Sequence, residues 1–293
     1  MTYISLEQEY AKETGVTPQD IAKLRQWLKT QPHLPEKHIT DLDLILAFHA
    51  CNCSTGLAKQ VLDLNLTLRT LFHNFYKDRS VDRASKVATD ILFTSVTPLS
   101  SKGDKIFYSR ILNTDPKIFH FGEAVKTVLM VLETLQYEEG TWPGLQFVID
   151  YEGVTLAHFA KIDIFTLQHF LYYLQEGILL KLNGLQFINA PSFIDKLLML
   201  MKPFMTKELM DKLHVHTANS KTLENFFSVE DLPKAENFEA HRDKTLKRLQ
   251  EFRQYFEEEK HKRVTESLRP GKPKTISDIF GGVEGSFKTL DID

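Results

Sequence analysis

GLQFVIDYEGVTLAHF, residues 144–159, runs from a short β-type stretch, Leu145–Asp150, through an acidic glycine turn into the start of a helix. Two more stretches extend it: GILLKLNGLQFINAPSFI at 177–194 and KPFMTKELMDKLHVH at 202–216. The three β-type runs, Leu145–Asp150, Leu182–Asn189 and Leu213–Thr217, are separated by helical patterns long enough to cross over a sheet. That arrangement predicts a βαβαβ unit, hence parallel strands and an α/β core. No glycine-rich phosphate loop follows any of the strands, and no nucleophile elbow or metal-ligand cluster stands where an α/β enzyme carries one. An α/β core with an apolar crossover and no catalytic equipment reads as a container, not an enzyme.

Composition narrows the class. A chain of 293 residues has ample length for a buried core. Its formal net charge of −3 argues against a general nucleic-acid binder, which needs a basic face to displace counterions. The 21 Phe against 2 Trp point to a large apolar volume, as packed core or as cavity lining. Cys51 and Cys53 are the two cysteines, and positions two apart on a helix do not face each other, so neither a disulfide nor a shared metal is expected. Low cysteine use fits a reducing compartment. The N-terminus lacks an apolar signal region, and no apolar run approaches the roughly 20 residues that span a bilayer. These features predict a soluble cytoplasmic protein without a cofactor.

The first hundred residues read as helices. Thr17-Pro18-Gln19-Asp20 is a helix start with an N-cap, a Pro at the first position and an acid three residues after the cap. Ile21, Leu24, Trp27 and Leu28 share one face of that helix. Thr40 and Asp43 repeat the capping-box spacing before Leu44, Ile45 and Phe48; Ser54-Thr55-Gly56 then breaks the pattern, and a third helix is expected from about Leu57. From about Ala84 the pattern becomes mixed. Lys105–Leu112 has strand composition and Phe121–Tyr137 is a helix with Val125, Val128, Leu129, Leu132 and Leu135 on its inner side. Beyond Leu232-Pro233 a helix is expected from Arg242 to about Ser267, its charges forming a solvated face. The last stretch, RPGKPKTISDIFGGVEGSFKTLDID, reads as a tail that either docks on the body or stays mobile.

Several signatures coincide in the crossover unit. Asp150-Tyr-Glu152-Gly153, five residues before His158, resembles the DxEG…H strand-end motif of the CRAL-TRIO lipid-transfer family. Leu185-Gln-Phe-Ile-Asn-Ala-Pro191 is similar to that family's second core strand. Lys202-Pro-Phe-Met-Thr206 followed by Leu213-His-Val-His216 is similar to its mobile gate helix and the strand after it. The helical N-terminal part resembles the family's three-helix extension, and the closing GVEGSFKTLDID is similar to the tail of many arthropod members. The resemblance covers about residues 15–293 in order. It implies three parts: a helical subdomain (1–83), a lipid-binding domain (84–240) and a C-terminal helix with tail (241–293). The implied fold is an α/β bowl, a mixed, mainly parallel sheet covered by helices, with a gate that closes over one bound lipid and opens at a membrane. Two departures stand out. The double glycine of the family's LPxEYGG run is absent from Leu232-Pro-Lys-Ala-Glu-Asn-Phe238, and Ala47-Phe-His-Ala-Cys-Asn-Cys53 replaces an arginine-rich segment. Lys181 and Lys212 match two positions of the basic cluster that grips phosphoinositide headgroups in tocopherol-transfer-type members. Glu208 and the His49–Cys51 stretch occupy the others, so half the cluster is missing.

Residue by residue, the resemblance assigns the cavity wall to Phe170, Tyr173, Leu174, Ile178 and Leu180, faced by Thr127, Val131, Leu145 and Ile149. On the gate, Phe193, Leu197, Leu200, Met201 and Phe204 form an apolar stripe between Lys196 and Lys202, and the nearby methionines suit a lid that packs in two ways. Thr127 and Tyr173 are the polar groups expected to orient the ligand. His214-x-His216 places two histidines on one strand face, too few for a metal site. Asp150, Glu152 and His158, without a nucleophile, read as strand-end and turn ties in preference to an acid–base set. The expected function is non-enzymatic binding and transfer of one hydrophobic lipid (tocopherol, retinoid, carotenoid or similar) by a monomer in transient contact with membranes. The alternative is a lipid-sensing, membrane-associated interaction module that binds a protein through its helical segment or tail.

Overall fold

The computed structural model describes residues 3–96, 100 and 102–281. Capping chemistry starts the N-terminal helices at the expected places. The Thr17 hydroxyl accepts from the Asp20 amide at the head of Pro18–Lys29, and Thr40 with Asp43 forms a capping box on Asp41–Ala50. Ser54 caps Thr55–Leu71, so the third helix begins at Thr55, two residues before the apolar periodicity signals it. A further helix, Val81–Asp90, leads without a break into the first strand.

Among the described residues the sheet has five strands in the order β1 (Ile91–Val96), β2 (Lys105–Ile111), β3 (Leu145–Asp150), β4 (Leu182–Ile188) and β5 (Leu213–Val215). β1 pairs antiparallel with β2, and all later neighbours are parallel. Each parallel step has a helical crossover, as that strand direction requires. Phe121–Glu139 joins β2 to β3; the β3–β4 step runs through Ile164–Tyr172 and a π-helical turn, Tyr173–Gly177; the β4–β5 step uses Ile194–Met201 and Lys207–Lys212.

Alternation along the strands sorts side chains to two faces. Phe93, Phe107, Phe147, Leu185 and Phe187 join the main core beneath the helices, while Leu92, Ile106, Tyr108 and Val148 meet Leu223, Phe227 and Leu232 on the other side. Fully buried rings such as Phe107 and Phe187 each contribute roughly 1.5–3 kcal/mol of transfer free energy. The main core runs without interruption from Val16 and Leu24 in the N-terminal helices to Phe256 and Val264.

The C-terminal segment differs from expectation in two respects. The single helix expected over Arg242 to Ser267 is two, Phe238–Glu251 and Arg253–Glu259, joined at Phe252, which leaves helical geometry with ψ 10°. Its charges are also not simply a solvated face. Arg248, Glu259 and Lys262 are buried because partners distant in sequence neutralise them: Arg248 pairs with Glu138 at 2.7 Å, Glu259 with Arg69 at 2.6 Å and Lys262 with Asp43 at 2.8 Å. Farther on, Arg269 binds Asp63 at 2.7 Å, and the Phe280 ring stacks on His169 with centroids 5.2 Å apart. This part of the tail is docked; GVEGSFKTLDID (282–293) lies outside the described residues.

Candidate functional site

Between the helix-covered face of the sheet and the helices lies an apolar cavity of about 160 Å³. It sits towards the carboxyl ends of the parallel strands, where ligands bind in open α/β sheets. Ile91, Phe93, Phe147, Ile149, Leu185 and Phe187 floor it. One wall comes from Phe121, Ala124, Val125 and Val128, a single helical stripe, and another from Leu167, Phe170, Leu171 and Leu174. Leu197 and Met201 close it from the Ile194–Met201 helix.

The expected wall residues divide on this geometry. Ile149, Phe170, Leu174 and Leu197 line the cavity, together with Met201. Thr127, Val131, Leu145 and Tyr173 are buried outside its lining, and the Tyr173 hydroxyl accepts from Asn65 Nδ2 at 3.1 Å. Phe193 stands behind the wall, edge-on to Phe159 at 5.2 Å. Leu200 lies 39% exposed beside Met199 at 72%, because Ile194, Leu197 and Met201 take the inward stripe of that helix. Phe204 follows in a short 3-10 turn, partly buried, and its carbonyl accepts from Gln175 Nε2 at 3.0 Å.

A second, more polar cavity of about 400 Å³ is lined by Cys51, Ile178, Leu180, Lys181, Glu208 and Lys212 among others. The fold thus gathers the four positions that the sequence comparison aligns with a basic cluster. Lys212 is held by Glu208 at 2.7 Å, whereas Lys181 makes no ion pair among the described residues. Burial, reinforced by Lys181, holds the nearby His49 down to about 4. Leu174 belongs to both linings and is the partition between the cavities.

The strand-end motif is a set of ties. One oxygen of Asp150 accepts from Tyr108 Oη (2.5 Å) and Arg110 Nη1 (3.0 Å), the other from the Glu152 amide (2.9 Å) and Asn189 Nδ2 (2.9 Å). Gly153 turns the chain at φ +82°, where a Cβ would also approach Thr114 Cγ2 to 2.7 Å, so a larger residue is excluded twice over. His158 caps the next turn: its Nδ1 accepts from the Thr155 amide at 3.1 Å. On the opposite sheet face His216 is engaged by Gln186 at 2.8 Å and Thr222 at 2.6 Å. Among the described residues no group of three or more His, Cys, Asp or Glu is arranged to hold a metal ion.

Phe119, Phe121, Tyr151 and Phe159 also line the main cavity and were not anticipated. Phe121 and Val125 carry a signal, the inner stripe of their helix. Tyr151 and Phe159 lie on the turn and short helix after β3, where periodicity is too brief to give direction.

The fold and cavity define a mixed α/β bowl that encloses an apolar space beneath the Ile194–Met201 helix. A family model described as CRAL/TRIO domain matches residues 98–236, and one described as Pinta-like, UBA domain, matches residues 14–85. Clavesin-1 of Rattus norvegicus is 26% identical over 234 residues, which cover 77% of this chain and 64% of that protein. Alpha-tocopherol transfer protein-like of Mus musculus is 24% identical over 120 residues, 41% of this chain and 35% of that one. The chain therefore spans less than two thirds of the length of these relatives. The crystal structure of Sfh5 aligns with a TM-score of 0.43 at 15% identity, over 75% of this chain and 83% of that one. Residues 98–236 carry a CRAL/TRIO domain.

Proposed function

We propose that the protein is a non-enzymatic carrier that binds one hydrophobic lipid, of tocopherol, retinoid, carotenoid or related type, and moves it between membranes. The observation that carries this reading is the apolar cavity on the floor of the parallel sheet, closed by Leu197 and Met201 of a helix only eight residues long. Binding is driven by apolar burial, roughly 25 cal/mol per Å² before ordering costs.

Size fixes what must move. About 160 Å³ is the space that takes up one aromatic ring, so a whole isoprenoid chain enters only if a wall yields. The Ile194–Met201 helix is the gate: it presents Met199 and Leu200 outwards, and the helix it packs against exposes Ile164 and Phe165. Such an apolar edge inserts into a bilayer interface when the helix swings. Lys181 and Lys212 supply the membrane contact, weakened by Glu208.

Transfer of fluorescent tocopherol or retinoid between donor and acceptor vesicles tests this. Protein-dependent transfer that saturates at one lipid per chain is expected; no transfer and no uptake across such a panel contradicts it. The alternative, a protein-binding module using the helical segment, has less support: Ile21, Leu24 and Leu28 there are spent on the common core.

A further inference from the structure

The cavity wall carries one buried polar atom that the protein itself leaves unused. Six residues have such atoms among the described residues: His33, Tyr76, Arg79, Glu133, His158 and His169. Of these only His158 lines the cavity. It is 1% exposed, and the unpartnered atom is Nε2. A buried polar atom left unpaired costs free energy, so a structure that keeps one in a binding cavity points to a partner supplied by the ligand.

The tautomer of this ring follows from geometry. A backbone amide can only donate, and the Thr155 N–H points at His158 Nδ1 at 3.1 Å; the Thr155 hydroxyl lies 2.9 Å from the same atom. Nδ1 is therefore an acceptor, and the proton of the neutral ring sits on Nε2. Burial, with Lys161 adding to it against Asp115, pushes the ring's pKa down and keeps it neutral. His158 thus brings a fixed N–H donor to the lining, which also includes the hydroxyl residues Ser109 and Tyr151, with Phe119 edge-on to the ring at 5.5 Å.

The charged groups of the wall are already committed. Arg110 is shared by Asp150 at 3.0 Å and Glu152 at 2.6 Å. A ligand carboxylate entering the cavity would meet one cation outnumbered by two carboxylates, and its desolvation would go uncompensated.

We infer that His158 Nε2–H orients the ligand, and that the ligand is a neutral lipid presenting an acceptor oxygen of ether, ester, carbonyl or hydroxyl type, not a hydrocarbon and not a fatty acid. This rests on the carrier reading above and adds the chemical class of its cargo.

Two substitutions separate ligand recognition from capping. In His158→Asn the amide oxygen replaces Nδ1 and keeps the Thr155 cap, while the deep donor is lost. In His158→Gln the amide nitrogen reaches the Nε2 position, while the cap is lost. Wild type and both variants are titrated with three retinoid-skeleton probes, retinyl methyl ether, the hydrocarbon axerophthene and retinoic acid, and exposed to a total cellular lipid extract read by native mass spectrometry. Wild type and His158→Gln are expected to prefer the ether over the hydrocarbon about tenfold, the worth of one buried hydrogen bond, and to bind the acid more weakly still. His158→Asn is expected to bind ether and hydrocarbon alike, with its hydrocarbon affinity unchanged. From the extract, a neutral oxygenated lipid retained by wild type and His158→Gln but not by His158→Asn gives the same answer. Equal ether and hydrocarbon affinity in wild type, preference kept in His158→Asn, or retention of a hydrocarbon or fatty acid from the extract overturns the inference and leaves the carrier reading standing. Uptake of nothing from probes or extract overturns both.

Discussion

Leu174 separates the apolar cavity from the polar one beside Lys181 and Lys212. A charged side chain there cannot share the apolar space, yet it has the second cavity to extend into, since long cationic side chains carry their heads to water. Leu174→Arg is therefore expected to abolish lipid uptake while leaving a cooperative unfolding transition; undiminished uptake by the folded variant would move the pocket wall elsewhere. Side-chain direction is where reading the chain alone reaches its limit. Within one helix, Val125 and Val128 line the cavity while Thr127 and Val131 do not, and all four are buried apolar-compatible residues at similar spacing. The same holds for Leu145, which shares a face of β3 with Phe147 and Ile149 but lies beyond the cavity's end. His158 is a different case: its position after the acidic glycine turn was legible, but its unpaired nitrogen exists only once the turn closes on Nδ1.

At the level of elements, the π-helical turn Tyr173–Gly177 ties the cavity wall to the segment that follows the Ile194–Met201 helix. Gln175 donates from Nε2 to the Phe204 carbonyl at 3.0 Å and accepts the Thr206 amide on Oε1 at 2.6 Å. If the proposed gate swings beyond Met201, removing this clamp in Gln175→Ala is expected to quicken release of a bound fluorescent lipid to vesicles several-fold, with about 1–2 kcal/mol lost in stability; an unchanged release rate would place the moving segment elsewhere. The C-terminal pair of helices is fixed in another way. Arg69 and Arg79 bind Glu133 and Glu259, tying the N-terminal helices, the β2–β3 crossover and the C-terminal helix at one buried point. Removing one member strands the rest, so Glu259→Ala should cost about 3–5 kcal/mol in urea unfolding, and a cost below about 1 kcal/mol would contradict that role. The helices and strands themselves were largely legible: caps at Thr17 and Thr40, alternation in Leu145–Asp150. The first strand, Ile91–Val96, was missed because the Val81–Asp90 helix runs into it with no Gly or Pro between. The Arg69–Glu259 pairing joins residues 190 positions apart, and no local pattern announces such a partner.

Across the whole molecule, buried and half-buried histidines make acid the sensitive direction. Burial lowers His158, His169, His214, His216 and His241, and His49 falls furthest, to about 4, with Lys181 adding to its burial. Because the unfolded chain takes up these protons near 6.5 and the folded chain resists them, their contribution is complete above pH 6.5 and is lost as pH falls through the lowered folded values, for His49 through about 4. The thermal midpoint should drop steadily between those limits and drop less in His49→Gln; a flat profile would show these histidines accessible to protons in the fold. The CRAL/TRIO fold and the mainly parallel sheet were visible in sequence, whereas the cavity's lining and volume depend on how every wall residue turns. The central claim is that this space holds one lipid. Native mass spectrometry of the full chain purified from its own cells, followed by organic extraction, tests it most directly. One lipid-mass adduct per chain is expected, absent in Leu174→Arg; a chain carrying no stoichiometric lipid, or the same adduct on both proteins, would show that the space holds none.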